Sequence, residues 1–373
     1  MAWSILAVLG LGITLTQSRT ALLAALFLTI AYHLLSGPPQ NNGLNRRVVW
    51  RWLILLLITA WSFPYWAESQ SVSAIGHDRM VSAGTRPLIW RQLTTALIQH
   101  PWVGWGWLQV AAALQFGALA FPGAEQTNYA HNIVLDLMLF VGMPIGVVML
   151  ALTGWWVWNR AQQSNGKVTA KCGLFLLIPL ATHAQLELPH TYAYFLVVAA
   201  VLFGAIDAEA EANVDKSILA IKISNWAIPA FLCSWIPFLL AMGYEYSKAE
   251  EDFRINRFEN RRIGVTPVEY EVPRLYLLTQ LDGILRVMRL RAEPGMSNGD
   301  VDLLLRMAER YTWAPVQFRA ALALGLNGRP IEANERLQVI KSLFHDDIYA
   351  EASENFKQLR DDKYPELVSV SIP

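Results

Sequence analysis

The sequence predicts an all-α protein in which a polytopic helical membrane region of about seven spans precedes a soluble helical domain. Hydrophobic residues make up 54% of the 373 residues and charged residues only 16%, with a mean hydropathy of +0.30. Through the first two thirds, apolar runs are too long and too closely spaced for a soluble domain. Past Met242 the composition becomes charged, in residues 244–290 and 300–359. We therefore expect a membrane domain over residues 1–243 and a helical domain over residues 244–373.

Seven apolar runs define the predicted spans. A hydrocarbon core of ~30 Å needs roughly 20 apolar residues per helix, and several of these runs are shorter. The first run is interpreted as a span rather than a secretion signal, because no Lys or Arg precedes Arg19. The runs cover residues 3–16, 21–35, 52–65, 133–158, 172–186, 192–206 and 218–242.

Orientation follows from Lys and Arg in the short loops, since cytoplasmic loops carry the excess of these residues. Three loops on one side contain such residues, which predicts an inside amino terminus. The loop 67–130, the turn 187–190 and everything after residue 242 then lie outside. The inside residues are Arg46, Arg47, Arg51, Arg160, Lys167, Lys171 and Lys216.

The charged tail predicts helices joined by turns. Asn298-Gly299-Asp300 is interpreted as a helix cap, and residues 325–333 as a turn between two antiparallel helices. This second stretch is tetratricopeptide-like, but it occurs once and such repeats usually come in threes or more. A tetratricopeptide-like domain and a short helical bundle both remain open.

Several function classes lose support from composition. Net charge is zero, so nothing electrostatic favours nucleic acid as a partner. The two cysteines, Cys172 and Cys233, lie within or at the ends of spans, so we predict no disulfide between them. Asp300 and Asp302 are better explained by capping than by a metal clamp. With no Walker A sequence and no zinc-type Cys and His spacing, we predict no cofactor and no metal.

The segment Ala130-His131-Asn132 lies where the outer loop meets the fourth span, and it is the strongest candidate for a catalytic segment. We predict His131 in the first turn of that helix, where a neutral imidazole could accept a proton. A structural hydrogen-bonding role for His131 remains open. Asn128, Asn132 and Asp136 recur every four residues and predict a polar stripe that orients substrate or joins helices.

Arginines on the predicted outer side suggest an anion site. Pro87 and Pro101 bound a predicted loop helix that places Arg86 at its amino terminus and Arg91 away from the membrane body. Arg19 lies in a short connector at the outer boundary. Guanidinium groups bind phosphate oxygens in a bidentate way. The alternative is that these arginines reach lipid headgroups or anchor a turn.

Four ordered motifs carry a family resemblance. They are Thr16-Gln-Ser-Arg-Thr-Ala21; Arg86-Pro-Leu-Ile-Trp90 with Pro101-Trp-Val-Gly-Trp-Gly106; Ala130-His131-Asn132 followed by Gly142 and Gly146; and His183-Ala-Gln-Leu-Glu-Leu-Pro189 followed by Tyr192. The order and spacing of the first three resemble the signature of the O-antigen ligase and polymerase superfamily. Within it, the fourth motif and the tail with Asn327-Gly-Arg329 are most similar to bacterial O-oligosaccharyltransferases of the pilin glycosylation type.

The resemblance implies metal-free transfer of a preassembled glycan from undecaprenyl pyrophosphate to an acceptor hydroxyl on the periplasmic side of the bacterial inner membrane. His131 matches the family's essential histidine, and Arg86 and Arg19 match its phosphate-binding arginines. Together with Arg91 these form the predicted pyrophosphate site, and the possible pocket residues are Asn132, His183, Glu187 and Tyr192. The implied partners are the lipid-linked oligosaccharide, membrane lipids, and a pilin-like protein or lipid A core.

The chain departs from the family in two ways. Members usually carry several more spans before the Ser-Arg motif, so we expect the C-terminal part of a longer enzyme, truncated or dependent on a separate N-terminal partner. Many members have an acidic residue where this chain has Phe140. Alternatives to protein glycosylation are ligation to lipid A core, polymerisation of repeat units, a transporter and an inactive membrane scaffold.

Overall fold

The computed structural model describes residues 2–35, 45–69, 84–123, 125–164, 167–211, 224, 226–261, 263–264, 266 and 270–373. All regular secondary structure in these ranges is helical, which confirms the predicted all-α class. The chain divides into two compact units. Unit 1 comprises residues 1–117 and 127–215, and unit 2 comprises residues 118–126 and 216–373.

The described residues up to position 211 form eight α-helices. They are α1 (Ala2–Thr16), α2 (Arg19–Leu35), α3 (Arg46–Ser69), α4 (Arg86–Gln99), α5 (Val110–Ala120), α6 (Ile133–Gln163), α7 (Val168–Ala184) and α8 (Ala193–Glu211), with a short 3-10 helix (Pro189–Thr191) before α8. Helix α2 packs against α3 and α7, and α7 packs in turn against α8. The loop helix predicted before Pro101 is α4, whereas α5 was not predicted.

Among the residues that the structure describes, three helices are long and apolar enough to cross a membrane: Arg46–Ala67, Ile133–Gln163 and Ala227–Glu259. Other apolar helices, such as Arg19–Leu35 and Val168–Ala184, are shorter than such a span. The chain is thus a helical protein with three candidate membrane-spanning helices. Seven spans remain a prediction.

A short break between α1 and α2 positions Arg19. Gln17 adopts a positive φ of 50°, and its backbone N–H donates to the Thr14 carbonyl at 3.1 Å. The Ser18 hydroxyl accepts a hydrogen bond from the Ala21 N–H at 3.2 Å and so caps the next helix. Arg19 is the first residue of α2 and is half-buried.

Helix α6 contains a kink into which the loop 101–106 is inserted. Gly142 has a φ of 81° inside the helix, which breaks the regular backbone ladder. The Leu139 carbonyl accepts from Trp105 N–H at 2.7 Å, and Met143 N–H donates to the Pro101 carbonyl at 2.8 Å. The loop therefore supplies partners for backbone groups that the kink leaves without helical ones.

Unit 2 is a series of consecutive helices that pack on one another. Helix α9 (Ala227–Asn260) leads into α10 (Thr279–Arg289), α11 (Asn298–Arg310), α12 (Ala314–Leu326), α13 (Pro330–Leu343) and α14 (Asp346–Asp362), and a 3-10 helix (Pro365–Ser369) follows. Its core includes the fully buried Leu324, Leu337, Ile340 and Phe356. Helix α9 continues without interruption across residue 243, where we predicted the domain boundary, and that boundary stays a prediction.

The tail contains a helix cap and a turn close to the predicted ones. The cap of α11 is Ser297, whose hydroxyl accepts from Asp300 N–H at 3.1 Å, so the predicted cap at Asn298 was one residue too late. In the α12–α13 turn Gly328 has a φ of 80°, and Arg329 forms ion pairs with Asp302 and Glu332. The tetratricopeptide-like assignment of this helical region stays a prediction.

A buried ion pair joins α9 to α10. The Asp252 carboxylate is fully buried and accepts two hydrogen bonds from the Arg289 guanidinium, at 2.7 and 2.8 Å. The Tyr270 hydroxyl also donates to Asp252, at 2.7 Å. Burial, followed by this hydrogen bond, raises the pKa of Tyr270 to about 12. The phenol therefore stays protonated and keeps donating at neutral pH.

Candidate active site

The site begins with an unusual backbone conformation at His131. Its φ is 54°, in the left-handed region that costs a non-glycine residue roughly 1–2 kcal/mol. Helix α6 begins only at Ile133, and Asn132 is its cap, accepting from Leu135 N–H at 3.0 Å. The prediction that His131 lies in the first helical turn was therefore wrong. The polar stripe was also wrong, because Asn128 precedes the helix.

Hydrogen bonds on the preceding residue hold this strained segment. Ala130 N–H donates to Asp136 Oδ1 at 2.7 Å, and the Ala130 carbonyl accepts from the Trp90 indole N–H at 2.8 Å. Asp136 comes from the first turn of α6 and Trp90 from α4. The orientation of His131 is thus fixed by two helices.

Glu187 brings two of the predicted site residues together. One carboxylate oxygen of Glu187 pairs with the guanidinium of Arg86. The other lies 3.5 Å from Nδ1 of His131. All three side chains are between 24 and 36% exposed. The arrangement is a cation, a carboxylate and an imidazole in series, reachable from outside the protein and partly shielded from water.

The segment that carries Glu187 is fixed by the end of α7. Glu187 N–H donates to the His183 carbonyl at 2.8 Å, and Asn132 Nδ2 donates to the Gln185 carbonyl at 3.2 Å. The His183 ring packs edge-on against Phe195, with ring centroids 5.8 Å apart. These two hydrogen bonds thus hold the backbone of residues 185–187, which carries Glu187.

A second carboxylate–imidazole pair lies beside the first and was missed in the sequence. His190 Nε2 is 3.0 Å from Asp136 Oδ2, and the Asp136 side chain is only 1% exposed. Nδ1 of His190 is buried and has no hydrogen-bond partner among the described residues. Residues 131–136 and 187–190 therefore each contribute one imidazole and one carboxylate, paired reciprocally.

Three more predicted site residues are Tyr192, Arg91 and Arg19. Tyr192 is exposed and stacks on Tyr194, with centroids 5.4 Å apart. Arg91 is exposed on α4, and its carbonyl accepts from the Thr95 hydroxyl at 2.9 Å. Arg19 begins α2, as described above. The roles of Tyr192, Arg91 and Arg19 in substrate binding stay predictions.

The arrangement can do two kinds of chemistry. A guanidinium can stabilise an anion, and an imidazole backed by a carboxylate can accept a proton and hold the resulting charge. In the described residues, no group of three or more His, Cys, Asp or Glu side chains could hold a metal ion.

Comparisons with known families cover most of the chain. Residues 4–151 match the family described as O-antigen ligase, and residues 172–358 match the one described as virulence factor membrane-bound polymerase, C-terminal. The second match covers about half of the chain, and the first includes Arg19, Arg86 and His131.

Curated relatives come from Acinetobacter baylyi (strain ATCC 33305 / BD413 / ADP1). The chain is 26% identical to the general O-oligosaccharyltransferase over 317 residues, 82% of this chain and 54% of the relative. It is 27% identical to the ComP-specific O-oligosaccharyltransferase over 237 residues, 60% of this chain and 40% of the relative. The chain thus spans about half the length, or less, of these relatives. A comparison with solved structures gives no significant match.

Proposed function

We propose that this chain, which belongs to the O-antigen ligase superfamily, transfers a preassembled glycan from a lipid-linked donor to a hydroxyl group of an exported protein. Two relatives named as O-oligosaccharyltransferases support protein as the acceptor. The donor in this proposal is a glycan on undecaprenyl pyrophosphate, and the acceptor is a Ser or Thr of a protein such as a pilin. The observation that carries the proposal is Glu187, placed between Arg86 and His131.

The chemical step follows from the charges in the site. The acceptor oxygen attacks the anomeric carbon, the bond from that carbon to the pyrophosphate oxygen breaks, and the acceptor proton moves to Nε2 of His131. Negative charge then develops on the leaving pyrophosphate. Arg86 stabilises this charge, and Arg19 and Arg91 are the further cations that we assign to it.

Glu187 gives the site a way to respond to the donor. Its carboxylate is engaged by Arg86 and stands 3.5 Å from His131 Nδ1. A bound pyrophosphate competes for the Arg86 guanidinium and so releases Glu187 toward the imidazole. A closer carboxylate stabilises the imidazolium that forms when His131 takes the proton. Donor binding thereby prepares the base.

The proposed location is the bacterial inner membrane, with the site and the C-terminal helical region on the periplasmic side. Lipid-linked glycans expose their pyrophosphate at the membrane boundary, and the three candidate spans supply the membrane anchorage. Asn132, which follows His131 in the chain, and the exposed Tyr192 complete the acceptor pocket in this proposal.

Ligation to lipid A core or polymerisation of repeat units is the second candidate. Its support is the description of the two matching families, one as a ligase and the other as a polymerase. The same Arg86–Glu187–His131 group would serve a sugar hydroxyl as well as a Ser or Thr hydroxyl. The two candidates therefore differ in the acceptor and share the reacting group.

To test the proposal, the full chain is expressed together with a candidate pilin in cells that have an intact glycan–lipid pathway. Mass spectrometry then measures the intact mass of the pilin. We expect a glycan-sized mass increase that His131→Ala abolishes, while His345→Ala, an exposed histidine of unit 2, retains it. Immunoblots of membranes confirm equal amounts of each variant. Equal glycosylation by His131→Ala contradicts the base assignment, and a glycan found on lipid A core alone favours the second candidate.

A further inference from the structure

Unit 2 contains a cleft of about 750 Å³ that the proposed reaction does not use. The ends of α9, α10 and α14 and the middle of α12 enclose it. Volumes of this size are typical of ligand-binding clefts. Its lining combines cationic and apolar side chains.

The cations outnumber the carboxylates that could neutralise them. Arg291 and Lys363 are exposed, and in the part of the chain that the structure describes neither forms an ion pair. Arg319 is half-buried and donates to the Val287 carbonyl at 2.5 Å. Burial lowers the pKa of Arg319, so an anion bound beside it would offset the cost of keeping it charged.

The carboxylates that line the cleft do less to balance these cations. Glu259 is already engaged, since it lies 3.2 Å from the Arg289 guanidinium and accepts from the Thr266 hydroxyl at 2.8 Å. Glu293 is exposed and contributes one negative charge. Arg291, Arg319 and Lys363 therefore leave a net positive surface that favours an anionic ligand.

Apolar side chains line the same cleft. Phe318, Leu322 and Leu359 belong to its walls, together with the ring of Tyr364, which lies under the Lys363 ammonium at 4.7 Å. Aliphatic side chains would bury apolar area here, whereas sugar hydroxyls would lose their hydrogen bonds to water. A ligand that satisfies both features carries carboxylates and aliphatic groups along one chain.

We propose that this cleft binds an acidic, partly aliphatic peptide segment of the acceptor protein. Carboxylates of the segment pair with Arg291, Arg319 and Lys363, and its aliphatic side chains lie against Phe318 and Leu322. The identity of the peptide as part of the acceptor rests on the proposed function, whereas peptide binding itself does not. The cleft would hold an acceptor by a segment other than the one that is glycosylated.

Binding can be measured apart from catalysis. The full chain, purified in detergent, is titrated into a fluorescein-labelled ten-residue peptide of alternating aspartate and leucine, and anisotropy is recorded. Peptides with asparagine or lysine in place of aspartate are the charge controls. We expect binding of the acidic peptide only, weakened by salt because the cations are exposed.

Charge reversal tests whether the acidic peptide binds in this cleft. The double variant Arg291→Glu with Lys363→Glu should weaken binding of the acidic peptide at least tenfold. Lys357→Glu, an exposed lysine of α14 outside the cleft, is the matched control and should bind as the unaltered chain does. An unchanged affinity in the double variant overturns the proposal, as does displacement of the peptide by phosphatidylglycerol vesicles, which would identify a lipid surface instead. Melting temperatures confirm that the variants fold.

Transfer kinetics connect the cleft to the proposed function. The double variant should raise the KM for a whole acceptor protein and leave both its kcat and the transfer to a short serine peptide unchanged. Peptide binding without any glycan transfer would contradict the proposed function but not the assignment of the cleft. Normal transfer with no effect of charge reversal on the KM or on peptide affinity would sink only the cleft assignment.

Discussion

At the residue scale, Glu187 has two partners with different tasks. Glu187 contacts Arg86 and His131. In the proposed step, Arg86 binds the anion and His131 accepts the proton. A neutral side chain of the same shape would remove the charge that connects them. One substitution at Glu187 can therefore separate anion binding by Arg86 from proton acceptance by His131.

Glu187→Gln should lower kcat about 100-fold, within the range that a positioned acid–base group contributes. The amide cannot stabilise an imidazolium at His131, although it leaves Arg86 available for the donor. The measurement is single-turnover transfer at saturating donor. Glu250→Gln, an exposed carboxylate of α9, should transfer at the original rate. A kcat unaffected by Glu187→Gln would show that the carboxylate plays no part in proton transfer.

Asp136→Asn should lower the free energy of unfolding by about 1–3 kcal/mol, because it leaves a buried imidazole without its acceptor. The amide oxygen can still accept from Ala130 N–H, so the loss belongs to the contact with His190. Thermal unfolding in detergent measures it. In the double variant with His190→Gln the effects should be less than additive. Additive effects would mean that the two side chains do not interact.

The sequence allowed prediction of Arg86, His131 and Glu187, but not of the contacts that bring them together. Asp136 and His190 are 54 positions apart, and no local pattern indicates that they pair. The position of His131 was wrong for a local reason. Asn132, a preferred capping residue, begins the helix, so the histidine lies outside it in a left-handed conformation.

At the element scale, the kink of α6 depends on two glycines. A Cβ on Gly142 would lie 2.2 Å from the Trp102 carbonyl oxygen, and one on Gly104 would lie 2.4 Å from the Leu139 carbonyl oxygen. Both neighbours are backbone atoms and cannot rotate away. Both glycines also have positive φ, at 81° and 69°.

Gly142→Ala should therefore destabilise the protein by several kcal/mol, well above the ~1 kcal/mol of a typical substitution. Gly154→Ala provides the matched control in the same helix, since nothing lies within 4 Å of its added Cβ. That variant should be neutral or more stable by up to ~1 kcal/mol, through helix propensity. The comparison uses melting temperatures of the purified chains. Equal melting temperatures for both variants would contradict the packing argument.

Helix existence followed from the sequence more readily than helix ends did. An apolar run marks only the part of a helix that suits a bilayer. The helix itself continues for as long as its backbone hydrogen bonds do. Helix α6 thus extends to Gln163 beyond the predicted residue 158, and α9 extends through a charged segment to Asn260. Helix α5 was missed because its 11 residues, although mostly apolar, are too few for a span.

At the scale of the whole molecule, the orientation of the C-terminal helices is the main prediction. The positive-inside pattern predicts an outside location for everything after residue 242. Alkaline phosphatase fused after Pro373 should be active, and a green fluorescent protein fused at the same place should be dark. Fusions after Lys167, in a predicted inside loop, should give the opposite pair of signals. Fluorescence from the C-terminal fusion would reverse the topology.

The interlock between the loop 101–106 and helix α6 has a consequence for motion. Trp105 N–H is engaged by the Leu139 carbonyl at 2.7 Å, although Trp105 belongs to no helix. Amide hydrogens in irregular loops normally exchange with solvent deuterium quickly, whereas this one can exchange only when α6 itself opens. Deuterium uptake at Trp105 should accordingly be as slow as at Met143, so an irregular segment next to the site behaves dynamically as part of the helix it enters.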